Sequence, residues 1–246
     1  MDRLIYTALS GMQASMDRQR AIASNMANTN TLGFRAELIE QRAMTIEGHP
    51  NEARAMQVAR VTGADMRGGE IMETGRELDI AMATNSLMAV QAGNGDEAYT
   101  RRGDLSLSAT GLLVTGDGHP VLGDTGPITV PPGGRISISD DGTVTRSDPD
   151  APEAPPAEIG RIKLASWEGS PIAKGLDGLF RVEGGGILPT DAEARVQTGA
   201  LEQSNVKPTE VLVAMIEEQR LYAMRSKMVA TARELDQSGA QLMRLS

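Results

Sequence analysis

The sequence predicts an α+β fold in which long N- and C-terminal helices pair as a coiled-coil-like domain and a mostly antiparallel β domain is inserted between them. Two observations carry this expectation. Apolar residues recur at helical spacing at both ends of the 246-residue chain, and the middle switches to short alternating runs broken by turn residues.

From Asp2 to Asn28 there is no proline and the only glycine is Gly11. Ile5, Leu9, Met12, Met16, Ala23 and Met26 fall on steps of four and three, with Gln19 the one interruption. That spacing predicts one amphipathic helix of about seven turns, placed in a first segment spanning 1–35. Residues 36–75, with Gly63, Gly68, Gly69 and Gly75, read as an extended connector. Residues 76–205 read as the β domain. Leu78–Met82, Leu105–Leu107, Leu112–Val114, Ile128–Val130, Ile136–Ile138, Ile162–Leu164 and Leu179–Val182 are its strands, and Asn94-Gly95, Asp117-Gly118, Asp141-Gly142 and Asp177-Gly178 mark turns. The acidic, proline-rich stretch Asp148–Ala157 is a stiff loop. The last segment, 206–246, is a second helix beginning near Pro208 and Thr209. In it Leu221, Met228, Leu235 and Leu242 lie seven apart, and Met215, Tyr222 and Val229 repeat that interval beside them. Such a helix, on the order of 50 Å long at about 1.5 Å per residue, needs a partner along its length.

Composition excludes several function classes. With 33 acidic against 24 basic residues the net charge is −9, which opposes the nucleic-acid backbone and anionic membrane surfaces. The chain has no cysteine, so disulfides, cysteine-based zinc sites and thiolate nucleophiles are absent. No run of about 18 apolar residues predicts a membrane span, and the mixed N-terminus lacks the pattern of a cleaved signal peptide.

The motifs that resemble chemistry read better as structure. Gly93-Asn94-Gly95-Asp96-Glu97-Ala98 fits a loose dinucleotide fingerprint, but Tyr99-Thr100-Arg101-Arg102-Gly103 continues toward a strand where a helix is needed, so a hairpin turn is expected. Asp140-Asp141-Gly142 lacks the later ligands of a calcium loop. His49 and His119 each adjoin a proline with no ligand at metal spacing. No nucleophile elbow, P-loop or zincin motif occurs. The expectation is a non-enzymatic protein with no catalytic residue, no metal and no cofactor.

Ala23-Ser24-Asn25-Met26-Ala27-Asn28-Thr29-Asn30-Thr31-Leu32-Gly33-Phe34-Arg35 resembles the N-terminal signature of the bacterial flagellar rod and hook axial proteins. Gly199-Ala200-Leu201-Glu202-Gln203-Ser204-Asn205-Val206 and Met215-Ile216-Glu217-Glu218-Gln219-Arg220-Leu221-Tyr222 are similar to the stretches that open that family's C-terminal helix. Tyr99–Gly103 and Gly111–Gly123 fit the family in the middle of the chain. The opening Met1–Ala8, Gly126–Pro131 and Met224-Arg225-Ser226 tilt the resemblance toward the proximal rod, with the distal-rod paralogue FlgG as the nearest competitor.

The resemblance implies a structural rod subunit that polymerises helically to transmit torque across the periplasm. It implies export through the flagellar type III apparatus, and partners among the proximal-rod proteins FlgB and FlgC, the distal-rod protein FlgG and copies of the chain itself. The assembly interface is expected at Ile5, Leu9, Met12 and Met16, and at Met215, Leu221, Tyr222, Met228, Leu235 and Leu242. Asn25, Asn28, Thr31, Gly33 and Phe34 are expected to shape the turn after the first helix. The rival reading is an adhesin-like module whose helices form a closed trimeric stalk.

Overall fold

The computed structural model describes residues 2–46, 54–83, 85–148 and 155–245. In chain order the elements are α1 (Asp2–Ala27), β1 (Glu37–Ile46), β2 (Arg54–Ala64), β3 (Ile71–Glu73), β4 (Ile80–Met82), β5 (Ser86–Gln91), β6 (Glu97–Thr100), β7 (Leu105–Leu107), β8 (Leu113–Thr115), β9 (Leu122–Gly123) and β10 (Gly126–Pro127). They continue with β11 (Arg135–Ile138), β12 (Thr143–Ser147), β13 (Ala157–Arg161), β14 (Leu164–Ser166), β15 (Ile172–Lys174), β16 (Phe180–Val182), β17 (Val196–Thr198), β18 (Ala200–Glu202) and α2 (Pro208–Leu245).

This order corrects the expected α+β class. Among the described residues helix is confined to α1 and α2 at the two ends, and every element between them is a strand, so the β-rich part dominates. Long helices declare themselves through many repeats of one period, whereas most of these strands have three to six residues and leave a fainter signal. Residues 36–75, read as an extended connector, hold β1, β2 and β3, and β1 and β2 form a two-stranded sheet. Neither Glu37–Ile46 nor Arg54–Ala64 alternates cleanly between apolar and polar residues, which is the signal a half-buried strand gives.

The chain divides into two compact units. One holds 1–28, 37–63 and 206–246; the other holds 29–36 and 64–205. In the second unit the largest sheet has the order β14-β5-β6-β16-β15, every pair antiparallel. β5 is buried on both faces, which is why Leu87-Met88-Ala89-Val90 reads as a continuous apolar run. Met88 and Val90 join one apolar cluster with Leu105, Leu113, Val121, Val144 and Ile162. Leu87 and Ala89 join another with Tyr99, Phe180 and Leu188. The Tyr99 hydroxyl donates to Glu97 Oε1 at 2.6 Å and accepts the Leu188 N–H at 2.7 Å, and burial, followed by Glu97, pushes the phenol pKa up. Asn94-Gly95 turns the chain between β5 and β6, and Asp141-Gly142 does so between β11 and β12, with φ +90° at Gly95 and +84° at Gly142.

Candidate assembly surface

In the first unit α1 and α2 pack along each other, through a face the periodicity did not single out. Among the described side chains of α1 the buried residues are Ser10, Gly11, Ala14, Ser15, Ala21 and Ile22, mostly small and partly polar. Small side chains let a neighbouring element come close. The space goes to a long polar side chain from α2: Arg225 Nη1 donates to the Gly11 carbonyl at 2.7 Å and also reaches the Ser15 hydroxyl. Glu218, buried in α2, lies 3.4 Å from Arg18 Nε and 4.0 Å from Arg225 Nη1. A carboxylate this buried requires such cations, because an uncompensated buried charge is strongly destabilising.

The large apolar residues take the other side. Leu9 and Met16, seven residues apart on α1, are 49% and 47% exposed. On α2, Leu212, Val213, Ile216, Met224 and Met228 are all exposed. Leu212, Ile216, Met224 and Met228 lie on one i±4 row, with Arg220 between the pairs, so they form a ridge along the helix. Met12, Met215, Leu221 and Tyr222 are half-buried. The side chains of Ile5, Leu235 and Leu242 lie outside the described residues.

The segment after α1 is held by its asparagines. Asn28 Nδ2 donates to the Ser24 carbonyl at 2.8 Å, and the same carbonyl accepts the Asn28 N–H at 3.2 Å, so one residue closes the helix end twice over. Asn25 Oδ1 accepts the Glu37 N–H at 2.8 Å and its Nδ2 donates to the Glu37 carbonyl at 3.2 Å, which ties the end of α1 to the start of β1 within the same unit.

Thr31, Gly33 and Phe34 lie in the second unit, where three separated motifs meet. The Thr31 carbonyl accepts the Phe34 N–H at 3.3 Å, and Gly33 donates its N–H to the Glu202 carbonyl at 2.8 Å. Gly33 has φ +66°, and a Cβ there would fall 2.4 Å from the Arg101 carbonyl, so the position requires glycine. Lys174 Nζ sits 3.2 Å from the centre of the Phe34 ring and donates to the Arg35 carbonyl at 3.0 Å.

At the centre of this meeting point is a buried ion triad that motif reading passed over. Arg35, Arg101 and Glu202 are all buried. Glu202 Oε2 accepts from Arg101 Nε at 2.7 Å and from its Nη2, while Oε1 accepts the Gly69 N–H at 2.7 Å. Arg35 Nη2 stands 2.6 Å from Glu202 Oε1, an ion contact too poorly aligned to count as a hydrogen bond. Arg101 also donates to the carbonyls of Ala83 and Ser86, each at 2.7 Å, and of Met82 at 2.9 Å. Burial pulls the Arg101 pKa down and Glu202 opposes that shift. Asn205 completes the junction: its Oδ1 accepts the Ala36 N–H at 2.8 Å, and its Nδ2 donates to the carbonyls of Asp65 at 2.7 Å and Arg67 at 2.9 Å. All four residues sit inside the quoted motifs, yet no local pattern pairs position 35 with position 202.

The described residues contain no group of three or more His, Cys, Asp or Glu side chains able to hold a metal ion. Over the full length of both chains the protein is 40% identical to the flagellar basal-body rod protein FlgF of Salmonella typhimurium. The chain belongs to the flagellar basal-body rod protein family. The FlgF protein of Escherichia coli is 38% identical, again over the whole of both chains, and FlgG of Bacillus subtilis is 30% identical over 99% of this chain and all of its own. Three family models match in order: flagella basal body rod protein over residues 5–35, flagellar hook protein FlgE/F/G D1 domain over 81–146, and flagellar basal body rod FlgEFG protein C-terminal over 197–242. The first ends on Arg35, the second includes Arg101 and the third includes Glu202 and Asn205, so each rod-family match supplies a member of the junction.

Proposed function

We propose that this rod-family protein works as a structural subunit of the proximal part of the flagellar rod, joining neighbours through its terminal helices. It is a structural subunit of the basal-body rod, as its family indicates. The observation that carries the assembly reading is the pair of helix faces: α1 and α2 meet through small and polar residues, while Leu9, Met16 and the Leu212–Met228 ridge stay open to water. Burying such side chains against a neighbouring subunit gains about 1.5–3 kcal/mol each if coverage is complete. Head-to-tail contacts of this kind build an open helical filament that transmits torque. The 40% and 38% identity to the FlgF proteins of Salmonella typhimurium and Escherichia coli, against 30% to FlgG of Bacillus subtilis, supports the proximal rod. Copies of itself, FlgB, FlgC and FlgG are the neighbours this reading assigns, and the flagellar type III apparatus is its export route.

The absence of cysteine makes the test clean. Val213→Cys places a single thiol on the open face, and mild oxidation of basal bodies carrying neighbours with one introduced cysteine each should trap it in a disulfide with another rod subunit. If the thiol instead reacts with a soluble maleimide as fast in basal bodies as in the free chain, the face is not an assembly surface.

A further inference from the structure

We propose that Met16, Met224 and Met228 are sites of reversible sulfur oxidation that control whether the subunit is competent to assemble. The proposal rests on the assembly reading above. These methionines are 47%, 56% and 55% exposed, whereas Met82 and Met88 are 3% and 0% exposed in the β core. All three stand on the open helix faces, and Met224 and Met228 are neighbours on the same ridge, four residues apart.

The chemistry needs only a two-electron oxidant of the peroxide class. A lone pair of the thioether sulfur attacks one peroxide oxygen, the S–O bond forms as the O–O bond breaks, and the departing oxygen leaves as water. Sulfur is oxidised by two electrons and the peroxide is reduced. A dithiol reductant reverses the step, releasing water and forming a disulfide. The product is a polar, chiral sulfoxide where the ridge had a flexible apolar side chain, and such a change disrupts methionine-rich interfaces. Covering the ridge in the rod removes it from solvent, so the vulnerable interval precedes incorporation. Met72 supplies an internal control: it is also exposed, its sulfur accepts a 3.4 Å hydrogen bond from Gln203 Nε2, and it lies on β3 in the other unit.

The test begins with the purified full chain, hydrogen peroxide and peptide masses. Met16, Met224 and Met228 should oxidise roughly tenfold or more faster than Met82 and Met88, following exposure; equal rates overturn the assignment. In a strain lacking the native protein, a chain carrying Met16→Gln, Met224→Gln and Met228→Gln should be incorporated into rods about tenfold less than wild type, because glutamine approximates the polarity of the sulfoxide. The corresponding triple leucine chain and Met72→Gln should be incorporated normally. Normal incorporation of the triple glutamine chain sinks the proposal. Ile216→Asp separates the two failures: if it blocks incorporation while the triple glutamine chain does not, the assembly surface stands and the oxidation switch falls. If neither blocks it, the assembly reading falls as well.

Discussion

The two units use the same apolar residue types in opposite ways. In the β unit, Leu87, Met88, Val90, Leu105, Leu113 and Val121 are fully buried, and charge is taken inside at the Arg35–Glu202–Arg101 triad and at Asp79. In the helical unit the described buried positions of α1 and α2 go mostly to serine, glycine, alanine and a glutamate, with Ile22 the large apolar exception, while Leu9, Met16, Leu212, Ile216, Met224 and Met228 face water. The difference separates closing a fold from leaving one open. The β unit completes its core within one chain; the helix pair is fixed by polar contacts and leaves Leu9, Met16 and the α2 ridge exposed, the area that the proposed assembly would cover.

Substitutions sharpen this contrast, and the single tryptophan reports on it. Trp167 packs against the Leu87–Tyr99–Phe180 cluster, so its emission follows unfolding of the β unit. Glu202→Gln should have the largest effect, lowering stability in urea by about 3–5 kcal/mol, because it leaves two buried guanidinium groups without their carboxylate. Gly33→Ala should follow at about 2–3 kcal/mol, since the added methyl meets the Arg101 carbonyl at a positive φ. Asn205→Ala should cost about 1–3 kcal/mol by freeing the Ala36 N–H and the carbonyls of Asp65 and Arg67. Ile216→Asp, on the open ridge, should move the Trp167 transition by less than about 0.5 kcal/mol. If it unfolds the β unit, the contrast between the units is broken.

A further small effect is a pH dependence. The side-chain hydrogen bond from Arg67 holds the Asp65 carboxyl below its ordinary value of 3.8, against a burial contribution that raises it. A carboxyl depressed in the folded state contributes stability that is present above its unfolded pKa and lost as pH falls through the folded value. Asp65→Asn should therefore reduce the acid-side slope of stability below about pH 4, by under about 1 kcal/mol in total. A steeper acid slope in the variant would contradict this.

What the sequence made legible was what repeats locally. The helices at both ends, the Asn94-Gly95 and Asp141-Gly142 turns and the family signature all lie within short windows. The inner face of α1 was not legible because helical spacing marks large apolar residues, whereas this contact selects small ones: Gly11 and Ser15 are buried where Arg225 lies against them. The triad was hidden for a different reason. Arg35, Arg101 and Glu202 are ordinary charged residues until a fold brings them together, and no period links positions so far apart. The β1–β2 sheet was missed because Glu37–Ile46 lacks the alternation that marks a half-buried strand.

The most direct test of the account compares swimming motility with folding for one residue. Ile216→Asp, expressed in cells lacking the native protein, should give non-motile cells without incorporated subunit while the purified chain keeps the wild-type Trp167 unfolding midpoint. Normal motility from that variant would show that the open ridge on α2 is not where the rod holds this subunit.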